Sequence, residues 1–196
     1  VIISEYTLTY KADPVFFVVS SDDTPVCPVC GGTLKYRDTR LRIRKKEGGV
    51  KEYLMIRRLC CTECHRHHNE LPDCLVPHKH YEAEVISGVI DGIVTSEDAD
   101  SEDCPSFLTM LRWLQWFQMN LANIEGFLRN AGYRILGLGE ELLFSHASLL
   151  DTIRQTHQDW LERILRIIYN SGGFFLLYRG DAIAPVLIRL SPGQQV

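Results

Sequence analysis

Two Cys-x-x-Cys pairs, Cys27-Pro28-Val29-Cys30 and Cys61-Thr62-Glu63-Cys64, stand about thirty residues apart, and no other feature restricts the fold as strongly. Each pair fits a tight turn that points two thiolates at one ion, and Gly31-Gly32 after the first pair permits the positive φ such knuckles use. The spacing therefore predicts a zinc ribbon with Cys27, Cys30, Cys61 and Cys64 as ligands, the alternative being unrelated reduced thiols. Four sulfurs saturate a tetrahedral ion, so one structural zinc with no open position is expected; thiolate softness favours it over magnesium or calcium. Cys60 precedes Cys61 on the same strand, points the opposite way, and is read as packing. His65, His67 and His68 could each replace a thiolate, but with four sulfurs available they are expected at the surface.

Seven cysteines, four assigned to metal, leave Cys60, Cys74 and Cys104 as free thiols and point to a reducing compartment, the cytoplasm. The first residues show no basic region leading into an apolar run, and no apolar stretch approaches membrane-span length, so a soluble protein without membrane partners is expected. The 196 residues, 45% hydrophobic, suffice for one ordinary domain plus a small module. A net charge of −4 hides a strong asymmetry. Residues 35–80 hold twelve Lys or Arg against six Asp or Glu, an excess of six positive charges, and the remainder holds nine against nineteen, an excess of ten negative. A local patch attracts a polyanion more than a chain total does, so the ribbon is the candidate contact surface; a solvated hairpin with Arg and Lys on its exposed faces is the plainer reading.

Along the chain, residues 1–20 predict two short strands joined at Asp13-Pro14, followed by a loop into the first knuckle. Thr33 to Arg44 and Lys51 to Leu59 flank Gly48-Gly49 as a hairpin. On its second arm Tyr53, Met55 and Arg57 should share one face, and Leu54, Ile56 and Arg58 the other. His78 and His80 read as surface turn residues, with weak phosphate contact the sharper possibility.

Cys27-Pro28-Val29-Cys30-Gly31-Gly32, Arg57-Arg58-Leu59-Cys60-Cys61-Thr62-Glu63-Cys64, Glu70-Leu71-Pro72-Asp73 and Pro77-His78-Lys79-His80-Tyr81 together resemble a bacterial family of unknown function common beside mobile elements. Its N-terminal part is similar to the zinc ribbon that precedes the helix-turn-helix of insertion-sequence transposases. The resemblance covers roughly residues 1–120. It implies a ribbon and following helices that bind double-stranded DNA, usually at element ends. It also implies a recognition helix of the Thr-x-x-Arg-Trp kind, here Thr109, Arg112 and Trp113.

Val85, Ile86, Val89, Ile90 and Ile93 recur at helical spacing and predict a helix from Tyr81 to Ile93. The acidic run Glu97 to Asp103 reads as a solvated loop leading to Pro105 near the first position of a helix that ends at Asn130-Ala131-Gly132; a magnesium cluster is the lesser alternative. That helix is apolar nearly all round, so core or dimer contact is the default for Trp113, Trp116 and Phe117. One long amphipathic helix from Ser145 to Tyr169 follows, closed by Asn170-Ser171-Gly172-Gly173. Two short strands around Arg179-Gly180-Asp181 end the chain, and that tripeptide is read as chance.

The expected architecture is α+β: strands in 1–25, the zinc ribbon in 26–79, a helix-turn-helix-like helical region in 80–132, and a long helix with a short β segment in 133–196. The expected function is DNA binding in a mobile-element system. Phosphates would be held by Arg37, Arg40, Arg42, Arg44, Lys45, Lys46 and Arg66, with Thr109 and Arg112 from the following helix. The alternative is an adaptor docking on a transposase, ATPase or polymerase, and a homodimer is compatible with either. No phosphate loop or nucleophile motif occurs, so no enzymatic activity is expected.

Overall fold

A computed structural model describes residues 1–12, 15–95, 97, 104–135 (backbone only from 132) and 147–175. The fold is α+β, as the residue pattern predicts. Strands β1 (Ile2–Ile3), β2 (Thr7–Ala12), β3 (Val15–Ser20), β4 (Leu34–Lys45), β5 (Lys51–Cys61), β6 (His67–Asn69) and β7 (Leu71–Pro72) precede helices α1 (Ala83–Ile90), α2 (Phe107–Ile135), α3 (Leu149–Thr156) and α4 (Trp160–Asn170).

The long hairpin is as expected: β4 and β5 pair antiparallel from Leu34↔Cys61 to Lys45↔Lys51, turning through a short 3-10 segment at Glu47–Gly49. The other edge of β5 is shared. Its first half takes β3 in parallel (Phe17↔Leu54, Val18↔Met55), and its second half takes β6 (Arg58↔Asn69 to Cys60↔His67). β2 and β3 pair antiparallel from Thr7↔Ser20 to Ala12↔Val15, so one five-stranded sheet contains both the N-terminal strands and the ribbon. The β1 pair Ile2–Ile3 leaves this sheet and runs parallel to β7. Asn170 at the end of α4 clamps it there, accepting from the Ile2 N–H and donating to the Ile2 carbonyl, both at 2.8 Å.

Leu54 and Ile56 are fully buried against the helical layer, where Leu75, Ile86, Trp116, Ile124, Leu161, Ile164 and Ile168 form one continuous core. Past Ile56 the buried side of β5 changes to Leu59 and Cys61, so Arg58 does not continue the Leu54/Ile56 face as strict alternation predicts. Opposite this point β4 is irregular between Tyr36 and Asp38, where one extra residue shifts the register.

Helix α2 starts at Phe107, after the Ser106 carbonyl that accepts from the Thr109 and Met110 N–H groups, so Pro105 lies just before the cap rather than inside the first turn. It continues through Asn130-Ala131-Gly132 to Ile135 because buried Leu128 and Ala131 keep its packing stripe going. Trp113, Trp116 and Phe117 are core. The expected single helix over 145–169 is two, because the apolar stripe lapses at Thr156-His157-Gln158-Asp159 and His157 is extended (φ −135°, ψ 126°). α3 is capped by the Ser148 hydroxyl, which accepts from the Asp151 N–H, and by the Glu125 carboxylate, which accepts from Leu149 and Leu150. The acidic run beyond Glu97 and the C-terminal strands with Arg179-Gly180-Asp181 lie outside the described residues. Among the described residues no helix is long and apolar enough to cross a membrane.

Candidate metal centre and basic surface

The first knuckle closes with the Gly31 N–H donating to the Cys27 carbonyl and the Cys27 N–H to that of Gly32, each at 2.8 Å, around Gly31 at φ +74°. The second mirrors it: the Cys61 N–H donates to the Arg66 carbonyl at 3.0 Å, and His65 takes the left-handed position at φ +58°. The Thr62 N–H donates to the Thr33 carbonyl and locks the two turns together. A Cβ on Gly32 would come 2.6 Å from Glu63 Cγ and 3.1 Å from Cys61 Sγ, so the second glycine is what allows the knuckles to approach.

Within this frame the sulfurs of Cys27, Cys30, Cys61 and Cys64 all lie within 4.8 Å of one another. Cys27 and Cys64 are 3.6 Å apart and Cys30 and Cys61 3.5 Å apart, close to the ~3.8 Å edge of a tetrahedron with metal–sulfur bonds of ~2.3 Å. These separations are far too long for disulfides, and all seven cysteines are free. The cluster resists full ionisation by itself. Backbone N–H groups of Cys64 and Glu63 help lower Cys61 to about 6, while Cys30, despite the Gly32 N–H, is pushed up to about 12 by the neighbouring thiols. A cation at the centre removes that conflict. Four cysteines thus could hold a metal ion, and the donor set is that of a soft one.

One residue near the centre departs from expectation. His68 is half-buried, with Nε2 3.4 Å from Cys27 Sγ, while His65 and His67 are exposed as expected. The thiol of Cys60 lies 3.8 Å from the His65 carbonyl, away from the four sulfurs.

Along the hairpin the basic residues fall into two groups. Arg44 is 7% exposed and is neutralised by Glu52 and Glu82, with Lys46 also on Glu52 at 3.0 Å. Burial raises the Glu52 carboxyl, but these two cations outweigh it and hold the group below its ordinary range. Arg57 forks onto Glu70, a carboxylate only 1% exposed, through Nε at 2.5 Å and Nη2 at 2.7 Å. Arg58 Nε donates to Asp38 at 2.6 Å, and this holds the Asp38 carboxyl low. Three of the six acidic residues of the ribbon are thus engaged inside it, Asp73 pairs with Arg166 of α4, and Glu47 and Glu63 are exposed.

The second group faces outward. Lys35, Arg37, Arg40, Lys51 and Arg66 are exposed; Arg37 also meets the His67 ring, 2.6 Å from Nε2. Lys45 lies over the Tyr81 ring at 4.7 Å. Arg42 is half-buried, and its Nη2 donates to the Lys79 carbonyl at 3.0 Å. Of the residues singled out in the sequence, Arg37, Arg40 and Arg66 thus point to solvent, Arg42, Lys45 and Lys46 are partly covered, and Arg44 is internal. Thr109 and Arg112 sit on another element, α2, with Thr109 half-buried beside the Ser106 hydroxyl at 3.0 Å and Arg112 exposed. α1 and α2 are joined by residues 91–106, much longer than the three- to four-residue turn of a helix-turn-helix. Charge pattern alone did not separate the two groups of arginines, because Glu70 and Glu82 reach β5 and β4 from outside the hairpin.

No curated protein and no solved structure gives a significant match to the chain. A family model described as a domain of unknown function (DUF6431) matches residues 27–113, from the first metal-type cysteine to the buried Trp113 of α2, and so takes in the whole four-cysteine centre.

Proposed function

We propose that this chain is a DNA-binding zinc-ribbon protein, without catalytic activity, that serves a mobile element in the reducing cytoplasm. The observation that carries the reading is the division of charge on the ribbon. Asp38, Glu52 and Glu70 are engaged by Arg58, Arg44 and Arg57, Arg37 also reaching Asp38 at 3.6 Å, so the ribbon presents Lys35, Arg37, Arg40, Lys51 and Arg66 against only two exposed acids, Glu47 and Glu63. Such a surface attracts phosphates, and binding to it releases counterions. One zinc at Cys27, Cys30, Cys61 and Cys64 would be structural, fixing the two knuckles at the base of this surface. Arg112 on α2 is a further candidate contact, and a transposase or ATPase of the same element would supply any chemistry.

Zinc-loaded protein is expected to carry one ion per chain by elemental mass spectrometry. It should bind random duplex with an affinity that falls by at least tenfold between about 50 and 200 mM salt. Affinity flat over that range rules the electrostatic mechanism out. Selection of duplexes from a random pool then tests whether a particular sequence is read.

A second reading is favoured by the outer face of the sheet, where Leu41 is 47% and Tyr53 41% exposed, with Tyr36 at 62% further along β4. Apolar groups on an uncovered sheet suit a protein partner, a transposase, an ATPase, a polymerase or a second copy of the chain. An adaptor of this kind would show no retention on duplex DNA at low salt.

A further inference from the structure

The turn at residues 76–80 is fastened to β4 by two hydrogen bonds, Lys45 N–H to the His80 carbonyl at 2.7 Å and Arg42 Nη2 to the Lys79 carbonyl at 3.0 Å. His78 holds the turn in a left-handed conformation, φ +65°, which non-glycine residues seldom adopt. Lys79 lays its ammonium over the Trp116 ring of α2, 4.7 Å from the centroid. Arg40 and Arg42, two residues apart on β4, share one strand face beside this turn. The result is four potentially cationic side chains gathered where the sheet, the turn and α2 meet.

Their balance differs from that of Arg44 on the same strand face, which has Glu52 and Glu82. Among the described residues no carboxylate pairs with Arg40, Arg42 or Lys79, and the buried Nε of Arg42 has no hydrogen-bond partner. Burial lowers the pKa of Arg42 and of Lys79, and the proximity of Arg40 lowers Arg42 further. His78 is lowered by burial, then by Arg42, Lys79 and Arg40. A half-buried guanidinium among like charges is costly unless an anion joins it. Arg42 Nη1, which bonds to none of the described residues, and the Arg40 head are the donors left for such an anion.

We propose that Arg40, Arg42, His78 and Lys79 form a socket for one phosphate group at the junction of ribbon and helices. The inference rests on the reading of the ribbon as a phosphate-binding surface and narrows it to one built site. The phosphate belongs to a duplex backbone or is free inorganic phosphate, and the shared chemistry is a tetrahedral oxyanion accepting from guanidinium forks.

The full metal-loaded chain should be melted in rising inorganic phosphate against chloride at matched ionic strength, alongside Arg40→Gln, Arg42→Gln and Lys79→Gln. The wild type is expected to gain about 2–4 °C saturably and each folded variant to lose most of that gain. Arg40 is exposed, so its variant keeps the test valid if Arg42→Gln does not fold. A response absent from wild type, or equal in wild type and the variants, overturns the socket. Duplex binding provides the second arm: in Arg40→Gln and Arg42→Gln the log–log salt slope should drop by about 0.9. Duplex binding with an unchanged slope and no phosphate response overturns the socket and leaves the DNA reading standing, whereas an unchanged slope beside a variant-sensitive phosphate response assigns the socket to inorganic phosphate. A socket that responds to free phosphate while no form binds duplex supports the socket, assigns it to inorganic phosphate, and removes the DNA reading.

Discussion

A methyl group at Gly172 would sit 2.6 Å from the Pro28 carbonyl oxygen, and φ there is +84°, so both the backbone angle and the space require glycine. Gly48 has the same kind of angle, φ +74°, but an added Cβ would meet nothing within 4 Å. Gly172→Ala should therefore cost about 2–4 kcal/mol, as left-handed strain plus a backbone clash, and Gly48→Ala only about 1–2 kcal/mol. Urea midpoints of the two variants check this, and equal losses would mean that the contact between α4 and the first knuckle contributes nothing. At this scale the clustering of Cys27, Cys30, Cys61 and Cys64 was legible because Cys-x-x-Cys spacing carries its own geometry. Gly172 was readable only as the end of a helix, and its contact with Pro28, far off in sequence, was invisible. His65 in the left-handed position was hidden for the opposite reason, since the first knuckle uses glycine there and the second does not.

Between residues and the whole lies the node that joins α1 to α4. The Asp91 carboxylate accepts from Trp160 Nε1 at 2.7 Å and from the guanidinium of Arg154, which in turn stacks over Trp160 at 5.1 Å and Phe117 at 5.7 Å. Asp91→Ala leaves an indole N–H and a guanidinium without their acceptor, at a cost of about 2–3 kcal/mol. The urea midpoint should fall with the slope unchanged, because the folded state keeps its compactness. A midpoint within error of wild type would show that the node only decorates the packing. Beside this node periodicity overran the break after Thr156. Leu150, Ile153, Leu161 and Ile164 suit one continuous helix apart from the polar turn at 156–159, and Trp160 at the start of α4 reaches Asp91. α1 was legible because its apolar period runs unbroken, and the β4–β5 hairpin because Gly48-Gly49 marks its turn, whereas the register change between Tyr36 and Asp38 was not.

Viewed as a whole, the molecule does not carry the ribbon as a free finger. β3 adds to β5 in parallel, the end of α4 touches the first knuckle, and Leu54 and Ile56 are buried by the helical layer. Chelation of the zinc proposed at the four cysteines is therefore expected to expose amides in the two knuckles and β6, while Leu54 and Ile56 amides stay protected from hydrogen exchange. Loss of protection across all of β5 would show that the ion, not the helical layer, holds the hairpin. The charge asymmetry between ribbon and remainder was legible, but its meaning was not, because acids such as Glu82 cross the boundary to neutralise Arg44.

The clamp of Asn170 on Ile2 spans 168 positions and has a consequence for how the chain matures. β1 is synthesised well before the α4 residue that brackets it, 168 positions later. Until α4 arrives, Ile2 and Ile3 have only the short β7 to rest on, and two apolar residues stay open to wrong company. Closure of so distant a contact is slow, so nascent chains depend on a late sealing step after the ribbon has already taken shape.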